Sequence, residues 1–352
     1  LIPFGVVGGK QEDHRPCLGE KSRLLNRYFY KEEQSMLSFP PATFIETNGI
    51  RLAVHEAGQG RPIVLCHGFP EIAFSWRYQV EPLVKAGYHV IIPDQRGYNE
   101  SDRPEAVMDY DIEHLTGDLV GLLDHYGYEQ AVFVGHDWGA IVVWNLALLH
   151  PRRVAGVINL SVPFMERGEE EWVTQWEKLR GSDFYIVHFN RQPGLAEAAF
   201  ERDPENFLRN LYRTEQWKSP KRPRQPGMFM IRLVDETDPP GRLVMSEEEL
   251  AVFVQAFRRS GFTAPIHWYR NFTRNWEILG RVPQKVIQPA LMIYGRYDMV
   301  RPFDRIGEYV PDLEVHTLEC GHWIQQELPE EVNRIMLDWL NRRYPAVPFT
   351  QR

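Results

Sequence analysis

The sequence predicts an α/β protein: an open, mostly parallel sheet of eight strands, covered by helices on both faces, with a helical lid inserted late in the chain. Three observations predict it. Short β-branched or aromatic runs alternate with stretches of helical period. The later runs are apolar almost throughout, as strands buried on both faces are. The alternation then lapses between about residue 162 and residue 287 and resumes at Pro289.

The expected strands are 42–46, 50–55, 62–66, 88–93, 131–135, 155–160, 289–294 and 313–317. The first two meet at Asn48-Gly49, a hairpin signal because both residues tolerate the left-handed backbone of a tight turn. PIVLC, HVIIP, AVFVG and ALMIY supply buried parallel strands, and helical stretches such as 111–126 and 328–343 lie between or after strands. The break at 162–287 is rich in Trp, Arg and Pro, includes the breaker-dense 219–227, and reads as helices and loops. An insertion entered after one core strand and left before the next would cover the C-terminal edge of the sheet, where ligands bind in open α/β folds. The chain thus divides into an extension at 1–40, a core at 41–162 and 288–345, and a lid at 163–287.

Composition narrows the class. With 352 residues, 43% of them apolar and 25% charged, the chain can bury a substantial core. A net charge of −8 argues against nucleic acid or an anionic membrane surface as partner. The three cysteines, Cys17, Cys66 and Cys320, are too few and too widely spaced for a disulfide framework or zinc site, so a reducing, cytoplasmic setting is expected. No metal or cofactor is called for. No run is long and apolar enough to span a membrane. The opening LIPFGVV lacks the basic flank and cleavage site of a signal peptide. The chain starts on Leu, which reads as processing, trimming or an unusual start, and Met36 stands just before the first strand.

The chemistry concentrates at Gly135-His136-Asp137-Trp138-Gly139, between the strand at 131–135 and an apolar helix. This is the G-x-nucleophile-x-G pattern of an α/β-hydrolase elbow, in which small residues let strand and helix approach while the central side chain stands clear. By composition alone, with glycine usage of about 7%, such a match turns up in roughly one chain in four of this length. Its place between strand and helix gives it weight. An aspartate nucleophile fits displacement at an alkyl carbon, because the resulting ester can be hydrolysed whereas a serine ether could not. It also ionises without a base near neutral pH. The structural alternative is Asp137 as the N-cap of the following helix.

Chain order in this fold is nucleophile, acid, histidine. Asp298 follows the strand at 289–294 and His322 follows the strand at 313–317. His322 is thus the expected general base for water, with Asp298 fixing its tautomer and supporting its charge. The turn His67-Gly68-Phe69-Pro70 follows the strand at 62–66. Phe69 and Trp138 would supply the oxyanion-hole amides, and Pro70 and Trp138 are expected to contact substrate.

Together these segments resemble the epoxide hydrolases of the α/β-hydrolase superfamily over roughly residues 42–342, through HGFPE (67–71), SWRYQ (75–79), DQRGYNESDRP (94–104), GHDWGA (135–140) and GHW (321–323). The resemblance implies a small apolar epoxide and water as reactants, a vicinal diol as product, and two lid tyrosines that hold and protonate the epoxide oxygen. DFYIVHFNRQPG nominates Tyr185 and APIHWYRN nominates Tyr269. It also admits a homodimer. One departure is Asn99, where relatives usually carry glycine in R-G-Y-G-x-S. Asn tolerates the left-handed region, so the loop is expected to survive with altered detail. The rivals are a haloalkane or haloacid dehalogenase with the same nucleophile, which typically has a halide-binding Asn or Glu where Phe69 stands, and a non-catalytic binding protein on the same scaffold.

Overall fold

A computed structural model of the protein describes residues 39–215, 218 and 229–347. Cys17, nearly all of the expected extension and the breaker-dense stretch 219–227 lie outside the described residues.

The chain opens with β1 (Ala42–Thr47) and β2 (Ile50–Ala57), which pair antiparallel with Thr47 opposite Ile50. Asn48 and Gly49 turn between them with φ of 46° and 77°, the left-handed pair that a two-residue hairpin requires. The Asn48 amide donates to the His114 carbonyl at 3.0 Å and to Asp118 Oδ1 at 2.9 Å, fastening the turn to the helix beside it.

The sheet continues with β3 (Arg61–Cys66), β4 (Tyr88–Pro93), β5 (Ala131–His136) and β6 (Val154–Leu160). After the insertion come the last two core strands. A two-residue ribbon inside the insertion takes the labels β7 (Arg213–Thr214) and β8 (Arg242–Leu243), and the core ends with β9 (Ala290–Gly295) and β10 (Leu313–Leu318). The eight core strands lie in the order β1-β2-β4-β3-β5-β6-β9-β10, and β2 alone runs against its neighbours. Every residue of β4, β5 and β9 is buried, as their unbroken apolar runs predict. The ribbon corrects the expectation that the insertion holds only helices and loops. Its pairing spans too many residues, with too few per strand, to leave a periodic trace.

Three helices cover the first half of the core: α1 (Arg77–Lys85), α2 (Ile112–Tyr126) and α3 (Trp138–Leu149). Asp111 caps α2 by accepting from the His114 amide, and Gly127 ends it with φ 71°. α3 is buried on nearly every side, as a helix apolar all round must be. After β3 the chain moves to one side of that strand, and after β5 to the other, so their C-terminal ends border the switch-point crevice of the sheet.

The inserted segment carries α4 (Trp172–Arg180), α5 (Tyr185–Arg191), α6 (Leu195–Arg202), α7 (Pro204–Leu211), α8 (Glu247–Ser260), α9 (Thr263–Arg270) and α10 (Phe272–Leu279). Ser246 and Glu249 form a reciprocal capping box at the start of α8. This lid is hydrogen-bonded to the core at several points. The Trp268 indole donates to the Arg96 carbonyl at 3.1 Å, the Ile112 amide to Asn275 Oδ1 at 2.8 Å, and Arg77 pairs with Glu249 at 2.5 Å. The last helix, α11 (Pro329–Arg343), begins on proline, where a missing N–H costs nothing.

Asn99 adopts the left-handed conformation at φ 46°, and its amide donates to Asp94 Oδ2 at 2.8 Å. The loop therefore keeps the backbone a glycine would have and gains a hydrogen bond that glycine could not make.

Candidate active site

Asp137 sits between β5 and α3 with φ 52° and ψ −118°, and its side chain makes no capping hydrogen bond to the helix. The turn depends on its glycines. A Cβ on Gly135 would lie 2.4 Å from the Gly139 carbonyl oxygen, and one on Gly139 would lie 2.0 Å from that of Cys66. The side chain is only 16% exposed.

The two oxygens of this carboxylate have different surroundings. The Phe69 amide donates to Oδ1 at 2.8 Å, and the Trp138 amide at the start of α3 favours the ionised form of the carboxylate. Oδ2 faces His322 Nε2 at 3.7 Å. The Phe69 amide can come this close because its neighbour is Gly68, whose added Cβ would fall 2.5 Å from Asp137 Cβ. Pro70 is buried, follows a cis peptide bond, and its carbonyl accepts from the Tyr212 hydroxyl of the lid at 2.7 Å. Burial pushes the Asp137 carboxyl above the usual carboxylate range, while His322, His136 and the two amides pull it back.

On the other side of His322, Nδ1 lies 3.0 and 3.1 Å from the two oxygens of Asp298. Burial disfavours the imidazolium, but the Asp298 carboxylate and, less strongly, that of Asp137 overcome it and lift His322 to about 9. Asp298 moves the opposite way. Burial opposes its charge, and His322, the Ser161 hydroxyl and the Val300 amide outweigh it, so its carboxyl lies below the ordinary range.

Tyr185 opens α5 and Tyr269 lies in the last turn of α9, with ring centroids 6.0 Å apart. The Tyr269 ring is 5.0 Å from the Trp138 indole and 5.3 Å from the Phe69 ring, directly over the elbow. Burial, reinforced by the charge on Asp137, raises both phenols, so they remain protonated at neutral pH. Phe189 and Phe272 pack against Tyr269 with ring centroids 5.1 and 6.1 Å away, leaving a predominantly aromatic wall around the carboxylate. All eight residues expected from the sequence (Phe69, Pro70, Asp137, Trp138, Tyr185, Tyr269, Asp298 and His322) meet at this place.

Several supporting groups did not stand out in the sequence. His136 Nδ1 lies 2.7 Å from Glu71 Oε2 and its Nε2 lies 2.8 Å from the His322 carbonyl, both at fully buried positions. Both ring nitrogens of His136 thus lie within hydrogen-bond distance of an oxygen. Glu71 also accepts from the Gly68 amide at 2.8 Å. Burial works against its charge, but His136 prevails and brings Glu71 down to about 2. Glu327 accepts from the amides on either side of His322, Gly321 at 3.0 Å and Trp323 at 3.1 Å, and from the Thr214 hydroxyl of β7 at 2.6 Å. Glu71 and His136 lie inside the HGFPE and GHDWGA segments, so position alone marked them. Among the described residues, no group of three or more His, Cys, Asp or Glu is placed to hold a metal ion, and no helix is long and apolar enough to cross a membrane.

The arrangement can attack an electrophilic carbon with one carboxylate oxygen, hold the other on two amides, protonate a leaving oxygen from above, and activate water at His322. Comparison with known proteins points the same way. Residues 61–329 match the family model described as the alpha/beta hydrolase fold. The chain is 45% identical over 315 residues to Epoxide hydrolase A of Mycobacterium tuberculosis, covering 86% of this chain and 97% of that protein. It is 38% identical over 313 residues to Bifunctional epoxide hydrolase 2 of Sus scrofa, spanning 85% of this chain but 55% of that longer protein. Among solved structures, Epoxide Hydrolase A from Mycobacterium thermoresistibile superposes with a TM-score of 0.78 at 43% identity, over 86% of this chain and 98% of the other. An epoxide hydrolase from an endophytic Streptomyces gives 0.79 at 35% identity, over 86% and 96%.

Proposed function

The chain belongs to the α/β-hydrolase fold family and, within it, to the epoxide hydrolases, and from that premise we propose that it converts an epoxide to a vicinal diol in two steps centred on Asp137. The observation that carries this reading is the division of labour within one carboxylate: Oδ1 lies on the Phe69 amide, and Oδ2 faces His322 below the Tyr185–Tyr269 pair.

In the first step Asp137 Oδ2 attacks a ring carbon and the carbon–oxygen bond of the epoxide breaks. Tyr185 or Tyr269 gives its proton to the departing oxygen, which would otherwise leave as an alkoxide, a stronger base than phenolate. The product is an alkyl-enzyme ester bearing a hydroxyl on the neighbouring carbon. In the second step His322 Nε2 takes a proton from water, and the hydroxide attacks the ester carbonyl carbon. The oxyanion rests on the amides of Phe69 and Trp138. Collapse breaks the bond to the alkyl oxygen, and the imidazolium returns its proton to the leaving diol. The tyrosinate regains its proton from the His322 imidazolium before hydrolysis, and the Asp137 carboxyl, which keeps the second proton of the water, returns it to His322, so one epoxide and one water become one diol.

The electrostatics order these steps. While Asp137 is ionised, its charge helps hold His322 near 9, and the ring is largely protonated at neutral pH. Alkylation removes that charge. His322 then drops in pKa and can give its extra proton to the tyrosinate formed in the first step, which leaves Nε2 free to take one from water.

In this proposal residues 163–287 act as the lid and 41–162 with 288–345 as the core. The aromatic wall fits a small apolar epoxide. The compartment is a reducing, cytoplasmic one, supported by Cys66 and Cys320, which are free and buried. A homodimer is the assembly admitted by this proposal, and sedimentation tests it. Phe69 presents a ring and not a halide-binding side chain, so nothing favours dehalogenation. A panel of epoxides and haloalkanes, assayed with wild type and Asp137→Ala, tests the function. Diol formation that depends on Asp137 is expected, and halide release without diol overturns it.

A further inference from the structure

We infer that Ser161 is a positioning residue for the hydrolytic step, its hydroxyl locking Asp298 and the Nδ1–H tautomer of His322 so that Nε2 is presented to water. The inference rests on the roles proposed above for Asp137, Asp298 and His322.

Ser161 directly follows β6 and is completely buried. Its amide donates to the Ile293 carbonyl of β9 at 3.0 Å, which fixes its backbone between two parallel strands. The hydroxyl lies 2.6 Å from Asp298 Oδ2 and 3.1 Å from His322 Nδ1. An ionised carboxylate only accepts, so the hydroxyl proton is committed to Asp298 and the lone pairs of Oγ face the ring. Nδ1–H is then shared between Asp298 and Ser161, and the neutral ring must keep its basic lone pair on Nε2.

The second observation is conformational. Ser161 has φ 70°, within the left-handed region that side chains other than Asn, Asp and Gly seldom adopt. Among the described residues only four other non-glycine positions have positive φ: Asn48, Asn99, Asp137 and Glu215. Glycine would adopt this conformation without strain. The chain instead keeps a hydroxyl there, and two of the five positive-φ non-glycine positions among the described residues, Asp137 and Ser161, lie at one site, as expected where function over-determines geometry.

The third observation concerns Asp298. The Val300 amide holds Oδ1 at 3.0 Å and Ser161 holds Oδ2, so donors at both ends set the plane of the carboxylate that His322 reads. Without the hydroxyl, Oδ2 loses that donor and the plane can rotate. The first step does not use His322 as a base, so the loss falls on ester hydrolysis.

Ser161→Ala and Ser161→Gly in the full chain test this with styrene oxide. Losing a hydrogen bond to a charged acceptor should lower kcat about 10- to 100-fold. Since alkylation is spared, kcat/KM should stay within about twofold, KM should fall with kcat, and the ester should accumulate in quenched mass spectra. Ser161→Gly also relieves the backbone strain, so it should melt no lower than Ser161→Ala and yet be as slow, a combination a merely structural serine would not produce. Wild-type kcat without ester accumulation in either variant overturns the inference. So does a parallel fall of kcat and kcat/KM that tracks lost stability, or failure of both variants to fold. If wild type itself forms neither ester nor diol, the proposed function fails first. Normal wild-type turnover with unaffected variants removes Ser161 alone.

Discussion

The amide of Phe69 donates to Asp137 Oδ1 at 2.8 Å, so the loop after β3 selects which oxygen of the nucleophile is free to react. In the proposed mechanism Oδ1 already occupies the place of the future oxyanion, and Oδ2 is left to attack. During one turnover in heavy-oxygen water, the new diol oxygen should therefore come from Asp137, and the label should appear in the Asp137 carboxylate. Label in the first-turnover diol would rule out the ester route. Asp137→Ala should lower diol formation about 10⁴-fold or more, since the nucleophile itself is gone.

His322→Gln should separate the two steps. The carboxylate still attacks, but no base activates water, so the enzyme should gain the mass of one substrate and stay loaded. Steady-state diol formation should fall about 10³-fold or more, while the first-turnover rate of ester formation changes far less. A variant that never gains mass would place His322 in the first step.

Tyr185→Phe and Tyr269→Phe each leave one phenol on the epoxide oxygen. Each single change should slow ester formation measurably, and the double change should remove about 10²- to 10⁴-fold, the usual range for a general acid. Stopped-flow quenching of the Trp138 indole, 5.0 Å from the Tyr269 ring, offers a readout of the first step. A double variant with wild-type ester formation would assign the protons elsewhere.

The pH dependence of stability follows from His322. Its folded pKa of about 9 lies above the ordinary 6.5, so its contribution is fully present below pH 6.5 and is lost as pH rises through about 9. Wild type should lose melting temperature across that window more steeply than His322→Gln. Parallel melting curves for the two proteins would contradict the assignment. Activity has a separate acid limb. Because burial raises Asp137, kcat/KM should fall on acidification at a higher pH than for an ordinary carboxylate.

Much of this site was legible in the sequence because its geometry excludes other residues. Gly135 and Gly139 are demanded by backbone atoms within 2.4 Å of any added Cβ, so they leave a pattern around Asp137. Asp298 and His322 follow from strand order, and Tyr185 and Tyr269 from motif resemblance. Ser161 left no such mark. Its role comes from a left-handed backbone and a contact across 137 positions to Asp298, and one serine after a strand fits many roles. The ribbon of β7 and β8 and the Glu71–His136 pair were hidden for the same reason, since each joins distant short segments without periodicity.

Glu71→Gln probes that hidden pair. Glu71 holds the Gly68 amide of the oxyanion loop and, through His136, the carbonyl of His322, so one carboxylate braces both halves of the site. Glutamine keeps the shape and removes the charge, leaving His136 buried without its counter-ion. Breaking such a pair from one side costs about 3–5 kcal/mol, which denaturant unfolding would register. The depressed pKa, about 2 against 4.5, also fixes the sign with pH. The contribution of Glu71 is complete above about pH 4.5 and is lost as pH falls toward 2. The gap in stability between wild type and Glu71→Gln should therefore be widest at neutral pH and narrow in acid. Because both the oxyanion amide and the base are braced by this group, ester formation and ester hydrolysis should both slow. That distinguishes it from Ser161, whose loss should fall on hydrolysis alone. A gap that stays constant from pH 7 to pH 3 would show that the pair is not the source of the stability.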